Sequence, residues 1–274
     1  MTAVGTLVCF HAHPDDEALS TGGSIARAAA DGHRVVLVVA TNGEHGESPD
    51  DLRPGETLVD RRRQETAASA AALAIDRVVW LGYQDSGMTG WTQNQDDASF
   101  LRADPDEAAS RLAVVLREES ADVLTVYDWH GNYGHPDHIK VHDVGHRAAE
   151  LAGTPRVFEA TMNREQIIRL LRAAQERGEP VGPEQSPGEE FDPEGPADDG
   201  NPIGMAEAEI TTAVDVTPYL AQKRASIAAH RSQETDTSFF LQMSDEVFAS
   251  AFGTEWFIEK GVEPHGPQPG WLFA

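Results

Sequence analysis

Runs of β-branched and apolar residues recur along most of this chain at strand length, and each is followed by a stretch with helical periodicity. TLVCFHA (6–12), HRVVLVVAT (33–41), DRVVWLG (76–82) and DVLTVYD (122–128) read as buried strands, and PRVFEATM (155–162) as a further one. Their near-continuous apolar character is what strands covered on both faces require. Between them Ala, Leu and Ile fall at helical spacing over Glu17–Asp31, Thr57–Ala74 and Asp106–Ser120, and further helices are expected from Asp137 to about Ala152 and from Asn163 to Arg177. The expected fold is therefore α/β: a doubly wound, Rossmann-like, mostly parallel sheet with helices on both faces and a small C-terminal α+β appendage. Such a sheet places its ligands where the strands' carboxyl ends give way to the following helices.

One segment breaks the alternation. Residues 178–204, GEPVGPEQSPGEEFDPEGPADDGNPIG, are rich in Pro, Gly and acid and contain no Lys or Arg, so they read as a mobile loop, either a solvated insertion or a flap over the site. The resulting division is an α/β catalytic domain over 1–177, the acidic loop, and 205–274 completing the same domain. In that last part EAEITTAVDV (207–216) is expected to be a strand and Pro218–His230 a helix.

The 274 residues carry a net charge of −25, which repels nucleic-acid phosphates and anionic lipid surfaces. No run reaches the length of a membrane span, and the start lacks a charged leader, so the chain reads as soluble and cytoplasmic. The single cysteine, Cys9, lies inside the first apolar run and reads as a buried small hydrophobe. An oligomeric state is left open.

Ionisable residues crowd the strand ends. HAHPDDE (11–17) follows the first strand, TNGEHGE (41–47) the second, GYQDSGM (82–88) the third and DWHGNYGHPDH (128–138) the fourth, and all four should converge on one pocket. Neutral imidazole and carboxylate are the usual ligands of catalytic zinc, three from the protein with a fourth position open. His13 and Asp16, three apart across a turn that Pro14 stiffens, can face one ion, with His138 arriving from the fourth strand. His11 and Asp128 suit roles orienting such ligands by hydrogen bonds. His142 and His146, at helical spacing, read as lying on the helix surface or at a packing edge. His230, in AHRSQ (229–233), either approaches the site or packs elsewhere.

HAHPDDEALSTGGSIARAAADGHRVVLVVATNGEHGE together with YGHPDH closely resembles the LmbE-like, or PIG-L, family of zinc-dependent de-N-acetylases, over about residues 4–160. DSGM (85–88), the ADP of 103–105 and NYGHPDH are nearest to the bacterial mycothiol-pathway deacetylase and conjugate amidase branch. The resemblance implies that His13, Asp16 and His138 bind Zn2+, with another divalent ion such as Fe2+ as the alternative, and that Asp15 is the general base. It further implies a small amino-sugar substrate losing an N-acyl group, acetyl above all. In that scheme protonated His135 or the Tyr133 hydroxyl stabilises the carbonyl oxygen, and Asp137 orients His135 and raises its pKa. Either Asp15 or His135 protonates the leaving amine. Arg62, matched through R-x-x-E (62–65), is a substrate-binding candidate with surface charge as its plainer reading, and Glu47 and Asp85 are candidates for sugar hydroxyls.

Other classes fare worse. TGGSIA (21–26) is not G-x-G-x-x-G and lies within the first expected helix, which argues against a nucleotide-dependent oxidoreductase. A phosphodiesterase needs phosphate-binding basic groups, of which few lie near these loops. An amidase acting on a mycothiol-like conjugate or another small amide, or a metal-dependent hydrolase of a different bond, remains the alternative to deacetylation.

Overall fold

The computed structural model describes residues 4–177 and 192–273, apart from the side chains of 234–237. Its strands are β1 (Thr6–His11), β2 (Arg34–Thr41), β3 (Arg77–Tyr83), β4 (Val123–Tyr127), β5 (Arg156–Thr161), β6 (Thr212–Asp215), β7 (Thr254–Glu259) and β8 (Gln268–Pro269). They form one sheet in the order β3-β2-β1-β4-β5-β7-β6-β8. The first five are parallel to one another, as the helical crossovers between them demand, while β7 runs antiparallel to both β5 and β6. The order reverses between β1 and β4, so a crevice opens at their carboxyl ends, where His11 and Tyr127 stand.

The helices are α1 (Gly22–Ala30), α2 (Leu58–Leu73), α3 (Pro105–Glu118), α4, a single turn over Gly131–Gly134, α5 (Pro136–Ala152), α6 (Arg164–Arg177), α7 (Leu220–Ile227), α8 (Glu234–Gln242) and α9 (Asp245–Phe252). Side chains alternate across the sheet with the two-residue period of a strand. Leu7 and Cys9 of β1 join Val35, Leu37 and Val39 of β2 against Ile25 of α1 and Leu73 of α2. Val8 and Phe10 join Val36, Val38 and Val126 against Leu112 of α3 and Val141 and Val144 of α5. Each such fully buried side chain stabilises the fold by roughly 1.5–3 kcal/mol. Burial pushes the Cys9 thiol up to about 12, which leaves it inert at neutral pH. Gly145 lets α5 lie on β4, because a Cβ there would meet Val126 Cγ1 at 2.3 Å.

Three expectations change in detail. The helix expected over Glu17–Asp31 is split into a wide π turn, Glu17–Thr21, and α1. Glu255 of β7 accepts the Gly23 and Ser24 N–H groups at 2.8 Å each, placing an anion where the helix dipole and the orphan donors favour one. Lys223 of α7 pairs with that carboxylate at 2.6 Å and donates to the Leu19 carbonyl at 2.7 Å. The strand expected over 207–216 is pared to β6, with a 3-10 turn at Glu207–Glu209, and the helix expected over 218–230 is pared to α7.

The acidic segment divides. Residues 178–191 lie outside the described residues, so the flap expectation falls largely on them. Residues 192–204 are held rather than loose: Asp198 N–H donates to the Tyr133 carbonyl at 3.0 Å, Thr89 N–H to Asp198 Oδ2 at 3.0 Å, and Gly204 N–H to the Asn132 carbonyl at 2.5 Å. Backbone donors that bond to the site's own loop cannot swing freely. Among the described residues no helix is long and apolar enough to cross a membrane.

Candidate metal centre and active site

His13 and Asp16 follow β1 directly, and His138 lies in the first turn of α5, whose start is set by Pro136 and by His135 as N-cap. Left-handed Gly131 permits the close approach of the preceding loop, since a Cβ there would sit 2.5 Å from the His138 Cβ. Three donor groups consequently meet, the carboxylate facing one imidazole with each of its oxygens. His13 Nδ1 is 3.4 Å from Asp16 Oδ2, Asp16 Oδ1 is 3.4 Å from His138 Nε2, and the two imidazole nitrogens are 3.3 Å apart. Ligands of a tetrahedral ion at 2.0–2.2 Å stand about 3.3–3.6 Å from one another, so this triangle has the size of a zinc-class site. Although burial works the other way, His138 and His13 hold the Asp16 carboxyl well below the usual carboxylate range.

Two other donor sets share His13. Its Nε2 faces Asp137 Oδ2 at 3.2 Å and Asp85 Oδ1 at 3.5 Å. Asp137 is fully buried, however, and its oxygens already accept the Ser86 N–H at 2.9 Å and, in a very short bond, the Ser86 hydroxyl. These carboxylates therefore accept the Nε2–H and, in the neutral ring, would leave the Nδ1 lone pair aimed into the triangle, the usual arrangement behind a metal-bound histidine. The His135 ring stands edge-on to His13 at 4.6 Å and 5.1 Å from that of His138. Its Nδ1 accepts the Asp137 N–H at 3.1 Å, which fixes the tautomer carrying hydrogen on Nε2.

Two expectations are corrected here. Asp137 does not orient His135 through its side chain; its carboxylate faces His13. Nor is the His135 pKa raised: burial, reinforced by His13 and His138, lowers it to about 2. His135 is a neutral Nε2–H donor rather than an imidazolium. Asp85 likewise turns to His13 and to the Gly87 N–H (2.8 Å) rather than outward.

Asp15 is separate from the triangle. Its φ of 110° turns the carboxylate away from that of Asp16 and onto Arg62 Nη2 at 2.8 Å. Burial pushes its pKa up to about 6, with Arg62 opposing. Arg62 is buried, which excludes its plainer reading as surface charge. It donates to the Gly43 carbonyl at 2.8 Å and, in a very short bond, to the Pro14 carbonyl, so it clamps the loops after β1 and β2 together. Glu47 is exposed at the rim, its backbone held by Gln233 at 3.1 Å. Tyr133 packs edge-on to His138 with centroids 5.0 Å apart and stands 6.2 Å from His135. Asp128 accepts from the His130 and Asn132 N–H groups (3.2 and 2.9 Å) and shapes the loop. His11 bonds Tyr127 and Thr21 at 2.9 and 2.8 Å.

The residues not singled out in the sequence are Tyr127, whose ring stacks on His138 at 4.3 Å, Ser86, and the buried acids Glu17 and Glu65. Glu17 pairs with His230 at 2.7 Å, and Glu65 accepts the Ser232 N–H and hydroxyl at 2.9 and 2.6 Å. Tyr127 was signalled only by its position as the last residue of β4. Glu17 ends the HAHPDDE run and Glu65 the R-x-x-E pattern, but nothing local signalled their pairing, since His230 and Ser232 are far away in sequence.

Residues 8–149 match the family described as PIG-L, GlcNAc-PI de-N-acetylase. The chain is 39% identical to the 1D-myo-inositol 2-acetamido-2-deoxy-alpha-D-glucopyranoside deacetylase of Streptomyces avermitilis, over 97% of this chain and 96% of that protein. It is 38% identical to the protein of the same name from Thermobispora bispora, over 94% and 88%. Its fold is similar to that of the N,N'-diacetylchitobiose deacetylase of Pyrococcus horikoshii (TM-score 0.57, 22% identity, 93% of this chain and 83% of that one). It is similar to a comparable degree to GalB, the 4-carboxy-2-hydroxymuconate hydratase of Pseudomonas putida (TM-score 0.55, 21% identity, 97% and 100%), so the fold by itself does not fix the reaction. With that match over half its length, and those relatives over nearly all of it, the chain belongs to the PIG-L, or LmbE-like, family and is a hydrolytic de-N-acetylase.

Proposed function

We propose that the protein removes the acetyl group from the amine of an N-acetylglucosaminyl-inositol conjugate with Zn2+ as its metal. The observation that carries the chemistry is the 3.3–3.4 Å triangle of His13 Nδ1, Asp16 and His138 Nε2 beside a carboxylate, Asp15, that lies outside it. The substrate follows from the names of relatives at 38–39% identity. An ion held by those three residues supplies Lewis acidity and makes water acidic enough to lose a proton near neutral pH.

The chain's own groups do the rest. Asp15, with a pKa raised to about 6, is ionised at neutral pH yet basic enough to take the proton of the attacking water. The neutral His135 Nε2–H and the Tyr133 hydroxyl donate to the carbonyl oxygen as negative charge grows there. Because His135 is neutral, the proton for the leaving amine comes from Asp15, which returns the one it took from water. Acetate and a free amine result, and the base is regenerated. Arg62 would hold the Asp15 carboxylate at the attack side, and the exposed Glu47 would meet sugar hydroxyls.

Metal content and acetate release are measured on N-acetylglucosaminyl-inositol, N-acetylglucosamine, N,N'-diacetylchitobiose and a mycothiol-like conjugate amide. One zinc per deep site and preferred turnover of the inositol conjugate are expected. Cleavage of the conjugate amide without acetate from any sugar would refute the substrate assignment.

A further inference from the structure

We infer that His142, His146 and Glu159 form a second cation site, separate from the deep triangle, for a borderline divalent ion of the zinc or nickel kind. The two histidines lie one turn apart on α5, a spacing that puts both rings on one helix face, and their centroids are 4.4 Å apart. Glu159 rises from β5 to meet them, with Oε1 2.9 Å from His146 Nε2 and 3.9 Å from His142 Nδ1. One ligand atom from each residue falls within 4.8 Å of the others, close enough for small rotamer changes to bring them onto one ion.

Two further features suit a ligand role. His142 Nδ1 donates to the Tyr127 carbonyl at 3.0 Å, which orients the ring as the backbone commonly does behind a metal-binding histidine and makes Nε2 the ligand atom, so the Glu159 carboxylate, now nearer Nδ1, would shift along the ring to share an ion with it. The Glu159 side chain is only 14% exposed, and among the described residues the groups within ion-pair distance of it are these two imidazoles, with no Lys or Arg. A largely buried carboxylate in that setting gains from a cation. Two imidazoles and a carboxylate are the donor set that zinc-class ions favour, and the 16–19% exposure of the histidine side chains leaves room for water to complete the coordination. The frame is rigid because the ligands stand on a helix and a central strand.

The test uses the untagged full chain, stripped with chelator and reloaded with one equivalent of Zn2+ to fill the deep site. Equilibrium dialysis against micromolar Zn2+ or Ni2+, with elemental analysis, should then give two equivalents for the wild type and one each for His146→Gln and Glu159→Gln. Deacetylase activity at one equivalent should be unchanged in both variants, and Asp16→Asn should lose the other equivalent instead. Ring resonances of His142 and His146 should shift when the wild type takes its second equivalent, a reading that needs no variant to fold. A single equivalent in the wild type, retention of two by either folded variant, or unmoved His142 and His146 resonances would overturn the assignment.

Discussion

Replacing Asp137 with Asn separates two roles that the H-P-D-H motif leaves entangled. The Asp137 carboxylate receives three hydrogen bonds: His13 Nε2–H at 3.2 Å and Ser86 N–H at 2.9 Å on Oδ2, and the Ser86 hydroxyl on Oδ1. An asparagine can keep its oxygen toward His13 and the Ser86 N–H and present its amide to the Ser86 oxygen. That oxygen already accepts the Leu101 N–H at 2.9 Å and has a second lone pair for the purpose. The fold should therefore survive, and what is lost is the negative charge behind the His13 ring. Loss of such an outer partner weakens metal binding by about 10–100-fold, or about 1.4–2.7 kcal/mol. The Zn2+ dissociation constant, measured by competition with a chromogenic chelator, should rise by that factor while kcat at saturating zinc falls less than about tenfold. Unchanged zinc affinity with a kcat loss of about 100-fold or more would place Asp137 behind His135 after all and refute the argument from its geometry.

The two neighbouring aspartates should part company. Asp15→Asn should keep its zinc and lose about 10²- to 10⁴-fold in kcat, whereas Asp16→Asn should lose metal on dialysis and recover activity in excess zinc; metal analysis paired with turnover checks both. Since a base works only when ionised, kcat/KM should fall as pH drops below about 6, and Arg62→Met, which removes a charge that lowers the Asp15 pKa, should move that limb to higher pH. The buried Glu17–His230 pair makes stability pH-dependent. His230, raised above 6.5 by Glu17 against burial, stabilises below its unfolded pKa and ceases to as pH rises through its folded one. Glu17, held below 4.5 by His230 against burial, stabilises above its unfolded pKa and ceases to as pH falls through its folded one. The gap in melting temperature between wild type and His230→Gln should therefore be widest between about pH 4.5 and 6.5, and a pH-independent gap would contradict the pairing.

What was legible in the sequence was whatever repeats locally. The five parallel strands and the polar clusters at their carboxyl ends follow from periodicity and punctuation, and those clusters do converge where β1 and β4 diverge. What each side chain then faces was legible only in part. His135 and Asp137 are two apart across a helix start, where i and i+2 positions point in different directions, so their closeness in sequence suggested a contact between side chains that the helix forbids. Asp85 follows Gln84, whose bridge to Ser99 and bonds to Ala98 and Phe100 set the course of the loop, and no local pattern shows that it turns inward to His13. His230 and Glu17 are partners 213 residues apart, and only the docking of α7 beside α2 and the turn after β1 brings them together.

That distant pairing bears directly on how one short loop could supply both the proposed metal ligand and the proposed base. Asp15 stands at φ 110°, a conformation costly to a residue with a Cβ by about 1–3 kcal/mol. Relaxing it to an ordinary helical or extended φ would swing its carboxylate off Arg62 and toward the charge of Asp16. The conformation is over-determined from several sides. The Asp15 N–H donates to Glu17 Oε2 at 3.1 Å, its carbonyl accepts the Ala18 N–H at 2.9 Å, and Arg62 grips both the Pro14 carbonyl and the Asp15 carboxylate. Glu17 is in turn fixed by Ser69 of α2, in a very short bond, and by His230, while Ser69 reaches Ser226 of α7 at 2.6 Å. Glu17, Arg62, Ser69, Ser226 and His230 are all buried and Asp15 is partly so, and a broken link among the buried members leaves an unpaired group in a low-dielectric interior rather than one rescued by water. In the proposed mechanism the C-terminal residues would thus support catalysis without touching substrate: they hold Glu17, Glu17 holds the backbone of Asp15, and that conformation would keep the base from becoming a second ligand.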